Sequence, residues 1–321
     1  LTAAQVTPTR RRARGWLSMS GKTAATHLAS LVTLACLTVT QAKRERPAPP
    51  PAPKTPWEEA VEVLTLRAPG SLLVFACGYA FWIALKVRAT GPRGVFWGVS
   101  FLRVLIGGFG GGICVPLCLG KPVGPYANDV VVTAALFGWY LSYRSPMDVA
   151  YKYFHHEGIK ELHVWMNLIF EVFRSNFIVT CVILANSTLK PSLFHLPLWG
   201  PLLAGSMAGS FGQFLPFDKG LAPVEHGFNW LMMSAFTVAA FVHTVLHEPE
   251  YGPLVWSVVA PGMDRTESSV RLVVIFFLSS VAVLQHYIFG PQWHPLMPVT
   301  RLLSAVVPAY YDEPIHKSKL L

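Results

Sequence analysis

The chain reads as an all-α, polytopic membrane protein with seven transmembrane helices, built as a 3+3 inverted repeat plus one. Three observations predict this. Hydrophobic residues make up 52% of the 321 positions and charged residues 13%, about half the roughly 25% charge of soluble domains. Apolar stretches close to 20 residues long recur from residue 71 to residue 289, the length a helix needs to cross a bilayer. Two glycine-rich stretches match each other at a fixed offset, the mark of an internal repeat.

The formal net charge of +9 is uneven. Residues 1–54 carry nine Lys and Arg against one acidic residue, and the rest carry 17 against 16. A nucleic-acid surface would place a basic stripe on the folded body, and this body is nearly neutral. No nucleic-acid partner is expected. The five cysteines do not form a disulfide framework. Cys114 and Cys118 read as packing thiols in an apolar segment.

Residues 1–42 are expected to be upstream sequence and a signal or targeting segment. Met19 opens a basic region followed by the apolar run Ala24–Val39 and the small-residue exit Thr40-Gln41-Ala42, the pattern of a secretory signal. An uncleaved signal anchor and a plastid or mitochondrial presequence are the alternatives. Residues 43–70 form a linker. Its first part, KRERPAPPPAPKTP, is too proline-rich for a helix. Trp57–Leu66 reads as a short amphipathic helix with Pro56 at its first turn.

The membrane domain is placed at 71–310, with a cytosolic tail at 311–321. Its seven segments are Ser71–Val87, Val95–Leu119, Ala127–Tyr143, Leu162–Ala185, Leu198–Phe217, Phe228–Leu246 and Val270–Phe289. All should be helical, because unpaired backbone is too costly in lipid. The fifth is the weak one, with six glycines or serines and two prolines. Leu296–Ala309 is apolar but broken by prolines and too short to span. With the first helix starting outside, ten loop cations, Lys86 and Arg88 among them, fall on the cytosolic side against five opposite. That follows the positive-inside rule, so the C-terminus is placed in the cytosol.

At an offset of 98 residues, Leu105, Gly107, Gly111, Leu117, Lys121 and Pro125 pair with Leu203, Gly205, Gly209, Leu215, Lys219 and Pro223. Three helices per repeat is an odd number, so the second copy inserts upside down. Inverted repeats with interrupted helices point to a pathway at their interface. Gly107, Gly108, Gly110, Gly111 and Gly112 in the second segment, with Gly205, Ser206, Gly209 and Gln213 in the fifth, are therefore candidate pore-lining residues. Close helix packing through small residues explains the same glycines equally well.

The fourth segment carries Glu171 and Arg174, three apart on one helix face and able to pair. Charge at this depth must face protein or water. These two, with Lys121 and Lys219 after the glycine-rich segments, are candidate gating or lipid-binding residues. His243 and His247, four apart with Glu248 next, have a metal-compatible spacing but no further ligand in view to complete a site, and no metal is expected. No nucleophile elbow, P-loop or H-E-x-x-H motif is present, so no enzyme is expected.

The stretch Leu119–Tyr153, with Trp139, Tyr140, Pro146 and Asp148, resembles the third helix and exit of the trimeric intracellular cation channel (TRIC) family. Phe170-Glu171-Val172-Phe173-Arg174 is similar to the family's K-E-V-x-R motif, with Phe170 in place of its lysine. The resemblance covers about Ser71–Tyr310 and includes both glycine-rich helices. It implies a homotrimer of seven-helix subunits, each with its own cation pore between the repeats. It further implies potassium as permeant ion, a counter-ion role in the endoplasmic reticulum or a related endomembrane, and anionic inositol lipid near the fourth helix. Beyond that phospholipid no cofactor is expected. A small-solute transporter on the same scaffold, and a non-conducting subunit docked into a larger membrane complex by its N-terminal arm, are the competing readings.

Overall fold

The computed structural model describes residues 54–299 apart from 93, 157–158, 215–227 and 291–292. The expected targeting segment, most of the linker, Lys219, Pro223 and the C-terminal tail lie outside the described residues.

Helix α1, Pro56–Leu64, begins with a reciprocal cap. Thr55 Oγ1 accepts from the Glu58 backbone N–H, and the Glu58 carboxylate accepts from the Thr55 N–H at 2.8 Å. This satisfies two donors that a helix start leaves open. None of its residues is buried, so it is held by its end. Asn176 Nδ2 donates to the Leu64 carbonyl, and Arg67 reaches Ser268 and Glu267.

The long helices follow as α2 (Ser71–Thr90), α3 (Trp97–Cys118), α4 (Asp129–Arg144), α5 (Lys160–Thr188), α6 (Trp199–Ser210), α7 (Trp230–His247), α8 (Tyr251–Val259) and α9 (Glu267–Leu284). A helix lies within each of the seven predicted segments. Five are long and apolar enough to cross a membrane: α2, α3, α5, α7, and α9 with its continuation to Phe289. Helix α4 has 16 residues and α6 has 12. At 1.5 Å per residue they reach about 24 and 18 Å, short of a hydrocarbon layer roughly 30 Å thick.

The shortness of α6 has a visible cause. The fifth segment was expected to run as helix to Phe217, but its α-helix stops at Ser210 and tightens into a 3-10 turn over Phe211–Phe214. Ser206 and Ser210 donate to the carbonyls one turn back, of Leu202 and Ser206, and such back-bonding bends helices. Helix α8 was not among the sequence expectations. Its Trp256 is buried and donates Nε1–H to the Met263 carbonyl at 2.7 Å.

Helix α5 joins the two sides of the bundle. Its Phe170 and Phe173 belong to a core with Tyr79, Phe81 and Trp82 of α2, Phe109 of α3, and Ala134 and Ala135 of α4. Further along, its Ile178, Val179 and Val182 belong to a second core with α7, α8 and α9. Glycine permits two of the close crossings. A Cβ on Gly138 would lie 2.5 Å from the backbone of Ala80 and Phe81, so α4 rests directly on α2. Gly205 faces the Val182 and Ala239 side chains, each 2.6 Å from where its Cβ would be.

Candidate functional site

Arg174 is buried and bonded through all three of its side-chain nitrogens. Its side chain is 1% exposed. Nη1 donates to Glu171 Oε2 at 2.9 Å, one turn away on α5. Nε donates to the Gly209 carbonyl on α6 at 2.8 Å, and Nη2 to the Leu231 carbonyl and Ser234 Oγ on α7, both at 2.7 Å. One guanidinium thus joins three helices. A buried charge is tolerated only when paired and hydrogen-bonded in this way. The pairing expected from the i, i+3 spacing is present, and the two partner helices could not be read from the sequence.

The glycine-rich helices meet beside this cluster. A Cβ on Gly111 would lie 2.7 Å from Ala208 Cα, Gly212 backs onto the Gly107 carbonyl, and Gly110 onto the Phe211 ring. Residue numbers rise along α3 as they fall along the facing segment, so the two run antiparallel where they touch. Tyr79 of α2 closes the gap above them. Its hydroxyl donates to the Gly108 carbonyl at 2.7 Å, and its ring packs on Phe109, Phe170 and Phe173 with centroids 4.5–5.5 Å away.

Two cavities lie nearby, the smaller of them lined by Tyr79. The smaller, about 160 Å³, is lined by Tyr79, Lys86, Gly107, Gly108, Gly111, Gly209 and Gln213 among others. The larger, about 690 Å³, is polar for its position: His163, Asn167, Glu171, Asn229, Gln285 and His286 line it. Lys86, Phe170 and Leu231 border both. Asn229 caps α7 by accepting from the Met232 N–H and donates to Gln213 Oε1 at 2.9 Å, so it links the linings of the two spaces.

The candidate residues therefore divide. Gly107, Gly108, Gly111, Gly209 and Gln213 line the smaller cavity. Gly110, Gly112 and Gly205 face Phe211, Phe177 and the Val182–Ala239 pair, and Ser206 is bonded within its own helix. Those four serve packing. Lys121 is exposed in the turn after α3, its N–H bonded to the Pro116 carbonyl. Glu248 pairs with His195 at 3.1 Å, while His243 and His247 stack on each other at 6.0 Å. Among the described residues no group of three His, Cys, Asp or Glu could hold a metal.

Lys86, counted from the sequence among the cytosolic-side cations, lies inside α2, ahead of its last turn. Its Nζ lies 4.9 Å from the Trp82 ring centroid and 5.0 Å from that of Phe170, in cation–π range. The i, i+4 spacing of Trp82 and Lys86 was the available signal. Tyr79 had no such signal, since its partner carbonyl comes from another helix. At the rim of the larger cavity His294 stacks on Trp230 at 5.5 Å, and burial pushes its pKa below the usual imidazole value.

These features define a helical membrane protein with a glycine-lined polar space inside one subunit. The family model described as TRIC channel matches residues 98–261, just over half of the 321-residue chain, and the chain belongs to that family. It is similar to the structure of a trimeric intracellular cation channel from C. elegans in the absence of Ca2+, with 16% identity and a TM-score of 0.53, covering 72% of this chain and 97% of that one. It is also similar to a structure described for the activity of TRIC counter-ion channels in calcium release, with 18% identity and a TM-score of 0.51, covering 73% and 100%. At these identities the likeness speaks for the fold. No curated protein sequence matches the chain.

Proposed function

We propose that this chain is a monovalent cation channel of an intracellular membrane, with potassium as the permeant ion and counter-ion current as its role. The subunit has seven transmembrane helices in two inverted repeats plus one, assembles as a homotrimer, and conducts through each subunit between the repeats. The observation that carries this reading is a pair of cavities that share Lys86, Phe170 and Leu231 in their linings, the smaller lined by Tyr79 and the antiparallel glycine-rich helices and the larger by Glu171, the partner of Arg174. The antiparallel run of those helices where they touch supports the inverted repeat that the 98-residue offset suggests. Family membership supports the same reading.

The test is reconstitution of the purified chain into planar bilayers under a potassium gradient. Unitary currents reversing near the potassium potential, and changed by Lys86→Gln, are expected. A silent bilayer from folded protein would sink the proposal. The larger cavity favours a second reading, small-solute transport, because about 690 Å³ with amide and imidazole groups suits a small polar molecule. Uptake of solute into liposomes without ionic current would select it.

A further inference from the structure

A third cavity lies away from Tyr79 and Arg174. It has a volume of about 770 Å³ and is enclosed by the end of α2, the start of α3, the end of α4 and the turn that follows. Its charge is one-sided. Arg88, Arg144 and Lys152 line it, and among the described residues the only acidic lining residue is Asp148. That carboxylate is committed to Arg88, whose guanidinium grips it with two hydrogen bonds at 2.9 and 3.1 Å and also donates to the Ser142 carbonyl. Arg144 and Lys152 are exposed, and neither forms an ion pair with a described residue. Two cationic groups are left facing the space.

The wall is preorganised. The Arg88 guanidinium lies 4.2 Å from the Tyr151 ring centroid and 5.6 Å from that of Tyr143. Trp139 stacks on Tyr143 at 6.2 Å, lies 6.0 Å from Trp97, and donates its indole N–H to Ser100. Trp and Tyr beside Arg and Lys at a helix end mark the depth of lipid headgroups. Two non-glycine residues, Met147 and Asp148, hold left-handed backbone at φ 50° and 58°. Strain of this kind persists where the surroundings hold the residue in place, and here it sets Asp148 under Arg88.

We infer that this cavity is a binding site for a phosphate-bearing anion, with Arg144 and Lys152 as its ligands and the Arg88–Asp148 pair as its floor. Two exposed cations match the near-dianionic charge of a phosphate monoester, and an arginine fork suits its oxygens. A volume of about 770 Å³ admits a headgroup or a small phosphate ester. The site is separate from the Glu171–Arg174 cluster and does not depend on whether the protein conducts.

The test uses the full chain in neutral detergent, titrated with phosphatidic acid, phosphatidylcholine or soluble glycerol phosphate, with native mass spectrometry and thermal unfolding as readouts. Phosphatidic acid is expected to bind and raise the unfolding midpoint, and phosphatidylcholine to do so much less. The double variant Arg144→Gln/Lys152→Gln should weaken phosphatidic acid binding by at least about tenfold, the scale of a lost charge-assisted hydrogen bond. Lys190→Gln, an exposed cation elsewhere, should leave it unchanged. Each single variant should weaken it less, in the same direction, which keeps the test open if the double variant fails to fold. Competition by glycerol phosphate would identify a free phosphate ester as the ligand, and its absence a lipid headgroup. Equal binding by wild type and the variants, or equal binding of the two lipids, would overturn the inference.

Discussion

The Nε–H of Arg174 is bonded to the carbonyl of Gly209 at 2.8 Å, a contact between the middle of the 29-residue helix α5 and the glycine-rich end of the 12-residue helix α6. Because Arg174 also holds Glu171, Leu231 and Ser234, the geometry of α6 and α7 around the smaller cavity depends on one side chain.

Removing that side chain should be costly. Arg174→Met leaves Glu171 buried without its partner, and breaking such a pair costs about 3–5 kcal/mol. The double variant Glu171→Gln/Arg174→Met should recover a large part of the loss. Thermal unfolding followed by size-exclusion chromatography checks both. Equal midpoints for the single and double variants would show that the pair is not coupled.

The glycines should differ sharply. Gly111→Ala sets a methyl 2.7 Å from Ala208 Cα, where backbone must move, whereas at Gly108 the nearest atom is 3.4 Å away on the Tyr79 ring. Overpacking of the first kind costs about 1–3 kcal/mol, and Gly108→Ala should cost less. The ordering of unfolding midpoints is the measurement.

Tyr79→Phe deletes the hydrogen bond to the Gly108 carbonyl. The expected loss is about 1 kcal/mol of stability, with more time spent conducting in bilayer recordings. Tyr79→Ala should raise conductance further by enlarging the smaller cavity.

Lys86 places a cation where both cavities meet. Lys86→Gln should raise unitary cation conductance, most at low ionic strength, where the field of a single charge is least screened. Conductance that is unchanged at every salt concentration would remove Lys86 from the pathway.

The Asp148 carboxyl is held below the usual carboxylate range, chiefly by its hydrogen bond from Arg88. A lowered folded-state pKa means that the contribution is present above the unfolded value near 3.9 and is lost as pH falls through the folded one. Asp148 is half-exposed, so the effect should stay under about 1 kcal/mol. Unfolding midpoints of wild type and Asp148→Asn should differ at pH 6 and converge toward about pH 3.

The chain's periodicity and composition were enough to locate the seven helical segments, because each is a local run of apolar residues. The sequence also marked α1, through Pro56 and its following acidic residues, and the Glu171–Arg174 pair, through spacing on a single helix. The end of α6 at Ser210 and the whole of α8 were harder to read. Glycine, serine and proline weaken α6 by local bonding that hydropathy does not register, and α8, nine residues long, is too short to stand out as a span.

What the sequence determined by itself was therefore the class of protein, the helical segments and the residues whose partners lie one turn away. The tertiary structure alone decided which glycines line a space and which only pack, that Lys86 borders both inner cavities, that Tyr79 plugs the gap beside Gly108, and that Arg88, Arg144 and Lys152 share one basin. The physical reason is distance along the chain. Helix spacing reaches four residues, whereas Arg174 and Leu231 are 57 apart and Arg88 and Asp148 are 60 apart, so only packing could bring them together.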